Sequence, residues 1–121
     1  MDQRKDTGNF GERLATMMLM RSGMRIRGRQ VRTPYGEIDI VAESGKELLF
    51  FEVKTRTGNR FGVPEESITK TKREHLARSV EHYRQTENLM DRPFRVHAIA
   101  IELDPATRKA KVRQIEDILA D

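Results

Sequence analysis

Two strand-like runs in this chain each carry a charge where a core residue is expected. The first is Gly36-Glu37-Ile38-Asp39-Ile40-Val41 and the second is Phe50-Phe51-Glu52-Val53-Lys54. Alternate side chains of a strand share a face. Glu52 and Lys54 therefore project together, and Val53 points the other way. Only a short stretch with a polar turn separates the runs, so they should pair as a hairpin that brings Asp39 alongside. Buried charges are costly unless paired or bound to metal. A divalent cation would offset that cost, and carboxylate oxygens are what Mg²⁺ prefers. Asp39 and Glu52 are thus candidate ligands of Mg²⁺ (or Mn²⁺), with Lys54 beside them.

Each residue also has a plainer reading. Glu52 and Lys54 could form an ion pair on an exposed strand, but Phe50, Phe51 and Val53 argue for a buried one. Asp39 could end a strand, but Ile38, Ile40 and Val41 flank it. Glu37 shares a strand face with Asp39 and reads as a neighbour. Asn9 and Glu12 have the spacing of a helix capping box, which would explain both without chemistry. An acid near the site is the other reading of Glu12, and the two are compatible. His75, His82 and His97 show no common ligand spacing, and His97 is expected to pack or hydrogen-bond within its strand.

The elements that must position these residues can be read coarsely. Asn9 is expected to cap a helix with Phe10, Leu14, Met17 and Met18 as its apolar stripe, ended by Gly23. A strand from Met24 to Arg27 follows, then a loop through Thr33-Pro34-Tyr35-Gly36. The hairpin comprises Glu37 to Ala42 and Glu47 to Thr55 around Ser44-Gly45. Residues 57–64 read as a loop. Leu76, Val80 and Tyr83 mark a second helix from about Thr69 to Thr86. Phe94 to Leu103 reads as a buried strand, with Val96, Ala98 and Ala100 on one face and His97, Ile99 and Ile101 on the other. A last strand covers Ala110 to Ile115, and residues 116–119 suggest one helical turn. The order is helix, three strands, helix, two strands: an α/β chain.

At 121 residues the chain suits one domain, 1–121, with an ordered core over about 8–119. It has no cysteine, which excludes disulfides, thiolate metal sites and a cysteine nucleophile. The polar start and the lack of any long apolar run suggest neither a signal peptide nor a membrane span. A cytoplasmic location is the expectation. The net charge is +4 and the pI near 9.7. Arg25, Arg27 and Arg29 alternate along one segment, and Lys70, Lys72 and Arg73 cluster in another. Any one cluster reads as a solvated face. Several beside an acidic metal site favour a phosphate-rich partner.

The order Glu12, Asp39, Glu52, Lys54 resembles the PD-(D/E)xK nuclease superfamily, which includes restriction endonucleases and archaeal Holliday-junction resolvases. A closer resemblance is to the small bacterial YraN-like family of endonuclease-like proteins. It rests on Gly8-Asn9-Phe10-Gly11-Glu12 with Ala15, on Gly36-Glu37-Ile38-Asp39, and on Phe51-Glu52-Val53-Lys54-Thr55-Arg56. Phe61-Gly62, Lys72 and Tyr83 extend it, so it spans most of the chain. A lone E-x-K triplet is frequent in charged chains; the three motifs together at this spacing are specific. The chain departs from the pattern at Ile38, where the superfamily has proline, at Arg95, where the family has an acid, and at Gln30, where asparagine is common.

The resemblance implies a restriction-endonuclease-like core with a central mixed β-sheet flanked by helices. It implies a metal-dependent endonuclease hydrolysing phosphodiester bonds of DNA, including branched or damaged DNA. Asp39 and Glu52 would ligate Mg²⁺ or Mn²⁺, the Val53 carbonyl would supply a further oxygen, and Glu12 would serve as an outer or second-metal ligand. Lys54 would orient or deprotonate the attacking water. Arg27, Arg29, Arg56 and Lys72 are expected to contact the DNA backbone. A homodimer would provide the two sites that cutting both strands requires. The alternatives are a catalytically inactive nucleic-acid-binding protein of the same fold, and an adaptor whose basic surface binds proteins.

Overall fold

The structure is a computed structural model that describes residues 3–58 and 62–119, with the side chains described from residue 5. Phe61 and the middle of the 57–64 loop lie outside the described residues. In chain order the elements are α1 (Gln3–Arg21), β1 (Arg25–Thr33), β2 (Gly36–Ser44), β3 (Glu47–Thr57), a 3-10 turn (Pro64–Ser67), α2 (Lys70–Thr86), β4 (Phe94–Leu103) and β5 (Ala110–Ile115). One sheet runs β1-β2-β3-β4-β5. β3 and β4 are parallel and the other pairs antiparallel. A parallel pair needs a long crossover, which the 3-10 turn and α2 supply. This is an α/β fold, a mixed five-stranded sheet flanked by two helices, consistent with a restriction-endonuclease-like core.

The sheet is buried on both faces, which is why Leu48-Leu49-Phe50-Phe51 is an unbroken apolar run. On the α1 side Ala15 and Leu19 meet Ile40, Ala42, Leu49, Phe51, Ile99 and Ile101. On the α2 side Leu76, Val80 and Tyr83 meet Ile38, Val41, Leu48, Phe50 and Val96. The two faces of β4 fall as its alternation predicts.

α1 differs from expectation in two ways. It begins at Gln3 rather than after Asn9, so Asn9 lies inside the helix and no capping box forms. Its sheet-facing side is also not the apolar stripe. Ala15, Thr16, Leu19 and Glu12 are buried, while Phe10, Met17 and Met18 are exposed and Leu14 packs only partly against the core. The reason is close approach. A Cβ at Gly11 would collide with the side chain of Thr55 on β3. The helix therefore seats on its small residues, and its bulky ones turn outward.

β1 runs on to Thr33, with a register shift between Ile26 and Gly28, instead of stopping at Arg27. Residues 116–119 form no helix. The Asp117 amide donates to His97 Nδ1 at 3.0 Å, and the Ile118 amide donates to the Val96 carbonyl at 2.9 Å, fastening the tail beside β4. Arg95, the departure on β4, pairs with Glu47 at 3.3 Å.

The Gly11 contact yields a prediction. Glycine to alanine inside a helix usually stabilises by about 0.5–1 kcal/mol. Gly11→Ala should instead destabilise, by about 1–3 kcal/mol for an overpacked contact. Urea midpoints check this. Adding Thr55→Ala should recover part of the loss, and a higher midpoint for Gly11→Ala alone would contradict the packing described.

Candidate active site at the β2–β3 fork

The site forms where two paired strands separate. β2 pairs with β3 from Ser44↔Glu47 to Ile40↔Phe51 and no further, although β3 stays paired with β4 as far as Thr57↔Leu103. β2 stays paired with β1 to its end at Gly36↔Thr33. The β1–β2 hairpin therefore leaves β3 as a unit. Side-chain alternation slips at the same place. Ile40 packs on the α1 side, yet Ile38 and Val41, three residues apart, both pack on the α2 side. The ladder partner of Asp39 on β1 falls at Gln30, whose φ of 49° is left-handed. Asparagine tolerates that region better than glutamine does, which accounts for the common asparagine at this position.

Asp39 fills the fork. Its Oδ2 accepts a hydrogen bond from the Val53 amide at 2.7 Å, taking the place of a strand partner. Glu52 comes from the adjoining residue of β3. The two carboxyl groups lie close enough for the charge of Glu52 to act on Asp39. Burial pushes Asp39 up to about 8, with the charge of Glu52 adding to the shift, the Val53 amide opposing it, and Glu12 and Glu37 adding smaller repulsions. Burial also raises Glu52, against the lowering influence of Lys54 and Lys72. Both acids are therefore raised, and the pair favours keeping a proton.

Glu12 approaches from α1. It is 6% exposed, and its Oε1 is buried without a hydrogen bond. Arg29 Nε lies 3.5 Å from that oxygen, and Gln30 Nε2 donates to Oε2 at 3.4 Å. With the capping box gone, a buried acid with one unsatisfied oxygen is left next to the pair. Among the described residues no three His, Cys, Asp or Glu side chains are placed to hold one ion. Glu12 acts on Asp39 through its charge, and an ion here would draw on the Asp39–Glu52 pair. The donor set fits a hard divalent cation, which keeps several waters and takes one or two carboxylates. A backbone carbonyl such as that of Val53 would complete such a set.

The remaining cations divide. Lys72, on the first turn of α2, lines a cleft of about 220 Å³ together with Glu52. Arg56 follows Lys54 on the same face of β3, opposite Glu102 of β4. Arg29 belongs to the Glu12 cluster. Arg27 is not brought to the site. Its Nε donates to the Tyr83 hydroxyl at 3.1 Å, and its guanidinium pairs with Glu43 at 3.5 Å and Glu87 at 4.0 Å. The register shift beside it on β1 aims it at α2, where it braces the fold. Gln30 is the residue the sequence reading missed as a participant; its departure from asparagine was the available signal.

With the geometry in view, the comparisons with known proteins give the family. The family described as "Uncharacterised protein family UPF0102" matches residues 11–101. A UPF0102 protein of Moorella thermoacetica is 42% identical over 113 residues, 93% of this chain and 94% of its own length. One from Dehalococcoides mccartyi is 42% identical over 100 residues, 83% of each chain. One from Caldicellulosiruptor bescii is 34% identical over 114 residues, covering 93% of this chain and 96% of its own. The chain belongs to the UPF0102 family, the YraN group that its motifs resemble. Among the described residues no helix is long and apolar enough to cross a membrane.

The raised Asp39 carboxyl sets a pH dependence. Unfolded aspartate ionises near pH 3.9, whereas folded Asp39 keeps its proton to about 8. Between those values the folded state binds more protons, so this group's contribution to stability falls as pH rises through the interval. Asp39→Asn cannot lose a proton and still offers an oxygen to the Val53 amide. In chelator its melting temperature should lie closest to wild type below about pH 4 and exceed it increasingly towards pH 8. A wild type that gains on the variant as pH rises would contradict the raised Asp39 carboxyl.

Proposed function

We propose that this protein is a metal-dependent endonuclease that hydrolyses phosphodiester bonds of DNA, with branched or damaged DNA as the expected substrate class. The observation carrying this reading is the half-buried Asp39–Glu52 pair, two acids held close together at a strand fork with Lys54 beside them. Such a pair lowers the stability of the metal-free protein, and a binding protein has no use for it. When bound, Mg²⁺ or Mn²⁺ would polarise a phosphoryl oxygen and activate a water.

The chain's own groups have definable parts. Asp39 and Glu52 would hold the ion by giving up the proton that the pair keeps. Lys54, one side chain further along that face of β3, would orient the attacking water and balance charge at the scissile phosphate. Glu12 adds negative potential from α1, which would draw a divalent cation. Lys72 and Arg56 would position the phosphate backbone on the α2 side. Arg29 sits at the Glu12 end.

The test is incubation with linear, single-stranded, flapped and four-way DNA, with Mg²⁺, with Mn²⁺ and with chelator. Wild type should cleave at least one substrate with metal and none with chelator. Asp39→Asn and Glu52→Gln should lose cleavage while keeping DNA binding, and Lys54→Met should cut turnover by about 10²–10⁴. Lys72→Glu should weaken binding to every sequence and flatten its salt dependence. Metal-independent binding with no cleavage anywhere would favour the second reading, a nucleic-acid-binding protein that keeps the fold. Absence of both would leave the adaptor.

A further inference from the structure

The cleft beside Glu52 has a neighbour. It is floored by Ile68 and Leu76, with Lys72 and His75 as donors, Glu37 as a second acid and Tyr35 as one wall. On the other side of Tyr35 lies a second cleft, of about 340 Å³, lined by Arg78, His82 and Gln85, with Glu81 as its acidic member. Residues 72, 75, 78, 82 and 85 recur at helical spacing, so these donors form one stripe along α2. The stripe starts at the carboxylate pair and leads away from it.

Tyr35 divides the two clefts and is 47% exposed. It is held in place there. Its amide donates to Thr33 Oγ1 at 3.1 Å, and the Thr33 and Ser79 hydroxyls hydrogen-bond at 2.8 Å, tying the β1–β2 turn to α2. The ring meets His82 edge to face, with centroids 6.1 Å apart. An exposed aromatic fixed between two nucleotide-sized clefts and flanked by donors has the parts of a stacking platform for unpaired bases. Bases inside a duplex are stacked on one another on both faces, so only the end pair could offer one to such a ring.

We propose that a single-stranded segment of nucleic acid runs from the carboxylate pair along α2 and crosses Tyr35, with one nucleotide in each cleft. This rests on the nucleic-acid reading above and sharpens it: the preferred substrate carries unpaired nucleotides next to the scissile phosphate. Tyr35 supplies stacking, and Lys72, His75, Arg78 and Gln85 hold the phosphates and base edges.

The chain has no tryptophan, so a Tyr35→Trp variant carries a single fluorescent reporter. The full chain would be titrated in chelator with a short oligodeoxythymidylate, with blunt duplex, and with inorganic polyphosphate as a polyanion lacking bases. Met20→Trp, on the exposed side of α1, is the control. The oligodeoxythymidylate should quench the Tyr35→Trp reporter strongly, the other two ligands should do so weakly, and the control should stay silent. In affinity measurements wild type should prefer an overhang over a blunt end. Tyr35→Ala should lose about tenfold of that preference, and Tyr35→Phe should keep it. No quenching, equal quenching by polyphosphate or at the control position, or an unchanged preference in Tyr35→Ala would each overturn the path. Chelator separates this from the nuclease reading. Quenching in a protein that never cleaves would sink only the catalysis, and cleavage of blunt duplex with a silent reporter would sink only the path.

Discussion

Everything at this site depends on one hydrogen bond, from the Val53 amide to the Asp39 carboxyl. A β-strand edge inside a sheet must satisfy its amides. At Val53 the usual partner is missing because β2 has turned away with β1. The Asp39 side chain substitutes for a backbone carbonyl, and so an acid is held half-buried in the fork. The fork, the slip in side-chain alternation and the left-handed Gln30 are three aspects of the same bend. Straightening it would return Asp39 to an ordinary strand position and move it away from Glu52.

Helix α1 answers to the same bend. Seating on Gly11 and Ala15 brings its backbone close to β3, and that proximity lets Glu12 contribute charge to Asp39. A bulkier seam would hold the acid further off. The consequence is an outer α1 surface that carries Phe10, Met17, Met18 and Met20. At the other end of the sheet, Arg113 is bound by Glu65 and Glu102 and anchors the 3-10 turn over β4 and β5. Glu43 gathers Arg25, Arg27 and Arg92. Those ion pairs hold the framework and leave the carboxylate pair with Lys54 and Lys72 as the cations that lower Glu52.

Much of this was legible because strand chemistry is local. The period of two placed Glu52 with Lys54 and away from Val53, and the buried run at Phe50-Phe51 marked a central strand. The spans of β4 and β5 matched, and α2 began within a residue of its expected start, capped by Thr69, whose side chain accepts from the Lys72 amide. What failed depended on partners far along the chain. The apolar stripe of α1 was real but faced outward, because a helix can seat on glycine and alanine only when the strand beneath is known. Arg27 looked like one more phosphate contact, since nothing local points it at Tyr83, 56 residues on. Gln30 stood out only as a departure from asparagine, since its left-handed backbone follows from the fork. The capping box was a sound local reading of Asn9 and Glu12, and the earlier helix start removed it.

The central claim is that the Asp39–Glu52 pair keeps a proton where a divalent cation can take its place. Proton release on metal binding tests this most directly. Calorimetric titration of the intact protein with Mn²⁺ at pH 7, in buffers of different ionisation enthalpy, counts the protons displaced. With Asp39 raised to about 8, close to one proton should leave for each ion bound, and Asp39→Asn should release none. Tight binding of Mn²⁺ to wild type without proton release, or the same release from Asp39→Asn, would contradict the account.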